Sequence, residues 1–156
     1  GTGVGGAAAG GVGGAAPLDR MSIDYWPGGG GNRPSWVAPP SFAVPPVRVS
    51  MRRGAEVLLE AQLTEAVTFI GKNGSVCALR QEHPSISRVH AALAFDSQGA
   101  LHLIDLNSVQ GTKLRRADDD TGWAVVPPLA PMVPVQLADG DACQVGFSTR
   151  QIAVHG

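Results

Sequence analysis

With 156 residues, a formal net charge of −1 and 16% charged side chains, the chain has room for one folded domain and little more. Its lysines and arginines are scattered, with only the pairs Arg52-Arg53 and Arg115-Arg116, so the basic stripe of a nucleic-acid binder is missing. No apolar stretch reaches membrane-spanning length, and the Ala/Gly-rich start lacks the basic and apolar regions of a secretory leader, so neither membrane nor direct nucleic-acid binding is expected.

The chain opens with low-complexity sequence, such as Gly1–Gly14 and Gly28–Gly31, which buries too little apolar surface to offset its ordering entropy. Residues 1–33 are expected to be a disordered tail, 34–46 a Pro-rich lead-in, and 47–156 the folded domain. Tyr25, Trp26 and Trp36 are either short docking elements or packing against that domain; the sequence leaves both open. From residue 47 on, short apolar or alternating runs are separated by Gly, Asn, Asp, Ser and Pro. The predicted strands are Val57–Leu63, Val67–Ile70, Val89–Phe95, Leu101–Leu106, Val133–Leu137, Ala142–Phe147 and Gln151–Val154. The first could be a two-turn helix by propensity, but it is brief and bounded by Gly54 and Thr64. Period-2 alternation puts Val89, Ala91, Leu93 and Phe95 on one face. Asp96-Ser97-Gln98-Gly99 reads as the hairpin turn into Leu101–Leu106. The Pro-dense stretch 127–134 belongs at an edge or in a loop. Residues 115–128 form a long connection whose Trp123 either covers a sheet edge or anchors a partner. Many short strands at this spacing predict an all-β antiparallel sandwich.

Cys77 and Cys143 have no CxxC or metal spacing and read as small buried hydrophobes. The four histidines are too dispersed for zinc, and no metal or cofactor is expected.

Three polar clusters sit at strand–loop junctions: Gly71-Lys72-Asn73, residues 85–90 (SISRVH) and residues 105–112 (DLNSVQGT). Lys72 and Arg88 bring positive charge; Ser87, Asn107, Ser108 and Gln110 bring neutral donors; Gly71 and Gly111 permit close backbone approach. A phosphate dianion is held by such a set: charge-assisted donors, ideally one guanidinium fork, with hydroxyls and amides fixing orientation. Spacing alone does not show that the loops meet. Ser87 could cap a turn, Arg88 could lie on the surface, and Asn107-Ser108 could form an Asx-type turn.

Gly71-Lys72, Ser87-Arg88-x-His90 and Asn107-Ser108-x-x-Gly111-Thr112, in this order and spacing, resemble the signature of the forkhead-associated (FHA) family, and Leu137-x-x-Gly140-Asp141 and Val145-Gly146 resemble its closing strands. Residues 83–93, 103–112 and 146–150, with Pro34-Ser35-Trp36 upstream, are most similar to the family's splicing-associated and phosphatase-regulating branch. The resemblance implies a phosphothreonine-binding β-sandwich without enzymatic activity, acting as a monomer in the nucleus on phosphorylated Thr-Pro motifs of RNA-processing or phosphatase-regulating partners. It implies that Lys72, Ser87 and Arg88 hold the phosphate, that Asn107, Ser108 and Gln110 serve the peptide, and that Gly71, His90, Gly111 and Thr112 support the site. Two positions depart from the family pattern. Lys72 stands where arginine is usual and lacks its fork, and Val109-Gln110 replaces Thr-Asn, removing a hydroxyl. These departures motivate an alternative, a degenerate FHA scaffold that binds through a strand edge or the Trp36 arm without phosphate. Ser87, His90 and Asp105 superficially resemble a nucleophilic triad, but no GxSxG elbow is present.

Overall fold

In a computed structural model, residues 25–27 and 31–156 are described; the expected disorder of 1–24 and 28–30 falls outside them. Ten strands form two five-stranded sheets. After a two-residue hairpin, β1 (Tyr25–Trp26) and β2 (Gly31–Asn32), come β3 (Arg48–Arg53), β4 (Glu56–Gln62), β5 (Val67–Gly71), β6 (Leu79–Arg80), β7 (Ala91–Phe95) and β8 (Leu101–Asp105). They are followed by β9 (Thr112–Arg115), β10 (Val135–Gln136), β11 (Ala142–Val145) and β12 (Gln151–His155). One sheet runs β10-β8-β7-β5-β6 and the other β4-β3-β12-β11-β9; all pairs are antiparallel except β5–β6. This is the expected all-β sandwich. Glu56–Gln62 is a strand, not a helix.

The inner faces meet in one apolar core, with Ile70, Leu93, Phe95 and Leu103 from one sheet against Val49, Met51, Val145 and Ile152 from the other. Burial of such side chains is the main favourable term for the fold, worth about 1.5–3 kcal/mol each. The predicted 96–99 turn is present: Asp96 Oδ1 accepts the Gln98 and Ala100 amides, and Gly99 takes φ +87.

The outer face of the first sheet is covered as well. Ala92, Ala94 and Ile104 lie under Trp26 and Val37, with Trp36 and Met132 packed beside them. Trp26 tilts against Phe69 at 5.9 Å between ring centroids, and Trp36 meets the His102 ring edge-on at 5.0 Å. The arm is fastened by Ala38 N–H donating to Phe95 O at 2.9 Å and by a Val37–Asp96 bridge. The two tryptophans therefore pack against the domain.

The alternation predicted for Val89–Phe95 fails at its start. The strand begins at Ala91, and Val89 packs with the outer cluster of Ala92 and Ala94, not the inner one of Leu93 and Phe95. Val89 and His90 lie in the preceding loop, where the pleat that enforces the two-residue period is absent. Three strands of the two main sheets, β3, β6 and β9, escaped prediction, as did the short β1–β2 pair. In the long connection, Lys113 Nζ donates to Trp123 O at 2.9 Å and the Arg115 guanidinium lies 4.6 Å from the Trp123 ring centroid. Together with the Lys113–Pro128 bridge, this segment covers the β9 edge.

Candidate functional site

The polar clusters converge at one end of the sandwich because β5, β7, β8 and β9 deliver their connecting loops there. The β5 exit lies directly on the loop before β7: Lys72 N–H donates to Ser87 O at 3.2 Å and Asn73 N–H to Arg88 O at 3.0 Å. A side chain at residue 71 would overlap the Arg88 carbonyl, so glycine is required there by close approach. The third loop reaches the same place, with Val109 N–H pointing at Ser87 Oγ at 3.4 Å.

His90 sits beneath the junction, fully buried. Its Nδ1 accepts the Ser87 amide at 3.0 Å, so the hydrogen resides on Nε2, which donates to Gly111 O at 2.7 Å. The ring thus ties one loop to the other in a single tautomer. Burial lowers its pKa below the ordinary 6.5, against the opposing pull of the Gly111 carbonyl and the Asp105 charge.

Asp105 organises the third loop. Oδ1 accepts the hydroxyls of Ser108 and Thr112, each at 2.6 Å, and Oδ2 accepts the Ser108 amide at 3.1 Å. The Ser108 hydroxyl in turn accepts Gly111 N–H at 3.0 Å. Both Ser108 and Thr112 therefore direct their protons inward, to Asp105. Asn107 takes φ +58 and Gly111 φ +85, the left-handed turns that lift residues 107–110 clear of the sheet. Asn107, Val109 and Gln110 are exposed, Val109 at 86%.

A fourth segment buttresses the first three. Ser85 Oγ accepts Phe147 N–H at 2.8 Å and lies 2.7 Å from His83 Nδ1, and Gly146 N–H donates to Gly111 O. Gly146 has φ +56, and a Cβ there would meet Ser85 at 2.6 Å. The Cys77 thiol donates to Arg88 O at 3.3 Å; burial pushes its pKa up to about 12, leaving a structural group and not a nucleophile.

Ion pairs among the described residues join Arg53 to Glu56, Arg80 to Glu82, His102 to Asp96 and Arg116 to Asp141. Lys72 and Arg88 enter none of them, and the backbones of 72–73 and 87–88 are joined beside the third loop. Two cations outside these ion pairs, beside a hydroxyl, are groups that chemistry allows to receive an anion. The site is not a nucleophilic triad. His90 meets the Ser87 amide instead of its hydroxyl, and Asp105 is occupied by Ser108 and Thr112.

The sequence reading gave Asp105 no role beyond membership of a polar cluster and the rejected triad, gave Ser85 none beyond a polar cluster, placed Gly146 only in a closing strand, and did not mention Arg80. The Asp-x-x-Ser spacing from 105 to 108 carries the signal of a side-chain-capped turn for the first. For the others the partner is distant in sequence, and no local pattern marks it.

Residues 68–146 match the family model for the FHA domain. Nuclear inhibitor of protein phosphatase 1 from Homo sapiens is 29% identical over 119 residues, covering 75% of this chain and 30% of the relative. The FHA domain-containing protein FhaA from Mycobacterium tuberculosis is 34% identical over 94 residues, covering 60% of this chain and 15% of the relative. This chain thus spans under a third of the length of either. A structure solved in a study of phosphothreonine-dependent FHA domain interactions superposes with a TM-score of 0.52 at 28% identity, covering 72% of this chain and 97% of that one.

Proposed function

The chain belongs to the FHA domain family, whose members are non-catalytic binding modules, and from that premise we propose that its three-loop end binds a phosphothreonine of a partner protein. The observation that supports this reading is the meeting of two backbone segments: Lys72 is hydrogen-bonded to Ser87 and Asn73 to Arg88, and neither Lys72 nor Arg88 is neutralised by a described carboxylate. In this reading Arg88 offers the guanidinium fork, Lys72 a point charge and Ser87 its hydroxyl to the phosphate. Asn107 and Gln110, both exposed, serve the peptide backbone. Gly71, His90, Ser108, Gly111 and Thr112 hold the loops in shape.

The partner class follows from the motif resemblance, phosphorylated Thr-Pro motifs on nuclear RNA-processing or phosphatase-regulating proteins met by a monomeric domain, and the likeness to a nuclear inhibitor of protein phosphatase 1 supports its nuclear, phosphatase-linked part. The relative in Mycobacterium tuberculosis carries no nuclear context, so the nuclear assignment rests on the first likeness alone.

Titration of the full chain with a fluorescent phosphothreonine-proline peptide and its unphosphorylated twin tests the reading. Only the phosphorylated form binds, and Arg88→Ala weakens it by about 10- to 100-fold, the loss of a charge-assisted hydrogen bond. Equal affinity for both peptides would favour the second reading, a scaffold that works without phosphate. The specific observation behind that alternative is Val109, an exposed valine at a position where the family offers a hydroxyl.

A further inference from the structure

Arg80 is a third cation at the binding end that neither the motifs nor the phosphate reading accounts for. It stands directly opposite Gly71 in the parallel β5–β6 pair, with Gln81 N–H donating to Gly71 O at 3.0 Å. Its stem crosses the 71–75 turn, where a side chain at Gly74 would come within 2.8 Å of Arg80 Cδ. Its Nε donates to Lys72 O at 3.1 Å, and Nη2 pairs with Glu82. The guanidinium is thereby parked beside Lys72, on the side of the site away from the 107–110 loop. Both members of the Arg80–Glu82 pair are more than half exposed, at 54% and 63%. An ion pair this open to water contributes little, so Glu82 is readily exchanged for another carboxylate.

We propose that Arg80 is a specificity-determining residue: it reads a carboxylate side chain of the bound peptide next to the phosphothreonine, with Glu82 as the intramolecular stand-in when no such group is present. The inference rests on the phosphothreonine reading above and specifies the partner's sequence chemistry. The Nε bond to Lys72 O fixes the guanidinium plane at the site. Exchange at Nη2 lets the second anion dock without moving the loop.

The test uses the full chain and paired phosphothreonine peptides in which one position, walked along both flanks, is Glu or Gln. At one or more positions the Glu peptide binds about five- to ten-fold more tightly, and added salt shrinks the difference. Arg80→Gln lowers the preference to within about two-fold while leaving affinity for the Gln series unchanged. Glu82→Gln, which removes the competitor, tightens binding of the Glu peptide. The proposal is overturned if the wild type shows no preference at any position, or if the preference survives Arg80→Gln. It is also overturned if Arg80→Gln weakens both series equally, since that marks a purely structural role through the Lys72 carbonyl. Failure of the underlying phosphothreonine reading looks different: the Gln series itself would lose its dependence on phosphate.

Discussion

Both ring nitrogens of His90 are committed, one as acceptor from the Ser87 amide and one as donor to the Gly111 carbonyl, so a second proton has no place. The folded protein holds the imidazole neutral, with its pKa below 6.5, whereas the unfolded chain protonates it normally. A group with a depressed imidazole pKa stabilises the fold fully above the unfolded value, and that contribution drains away as pH falls below it. Urea unfolding between pH 7.5 and 5.5 should therefore show stability falling by up to about 1.4 kcal/mol per pH unit in the acid part of that window. His90→Gln should be less stable at pH 7.5 and show a flatter dependence. At this scale Lys72 and the Ser87-Arg88 pair could be singled out as candidates because short local motifs carry them. The roles of Arg80 and Ser85 were not legible, because each acts through a partner that only the folded chain brings near: the Lys72 carbonyl for one and the Phe147 amide for the other.

Loop 105–112 behaves as an element in its own right, built around a single carboxylate that accepts two hydroxyls and one amide. Asp105→Ala would strand the fully buried Thr112 hydroxyl and the Ser108 donors. The expected cost is about 2 kcal/mol or more, read by thermal or urea denaturation, with binding of a phosphorylated peptide falling alongside. Asp105→Asn keeps the shape and one good acceptor and should lose less. The strands around such loops were readable where side chains alternate or run apolar, as in Leu101–Asp105 and Ala142–Val145. They were unreadable where the strand is two residues long, as at Leu79–Arg80, or where its residues are basic and half-buried, as in Thr112–Arg115. In β9 only Leu114 packs against the core, between the half-buried Lys113 and Arg115, too little for a hydropathy pattern.

Across the whole molecule, the N-terminal arm makes a third layer. Trp26 and Val37 are buried against the outer face of the first sheet and Ala38 in the inner core, although the sequence reading left all three outside its domain boundary at Val47. A chain shortened to 47–156 would expose Phe69, Ala92, Ala94 and Ile104. It should lose about 3 kcal/mol or more of stability and bind a hydrophobic dye that the full chain excludes. Pro34-Ser35-Trp36 was read as a likeness only, and the family match begins at residue 68, so no motif marked how the arm packs.

The position of β12 bears on how the protein is made. It is the last strand in chain order, yet it lies inside its sheet, pairing His155 with Arg48 on one side and Cys143 with Ile152 on the other. On the ribosome, β3 and β4 can form their hairpin early but must wait, inner edge unsatisfied, until the 88 residues between Gln62 and Gln151 have been translated. Completion is then a late, cooperative event, slowed by the loop-closure entropy of so distant a pairing. Nascent chains halted before Gln151 emerges should be held by chaperones and remain open to proteases.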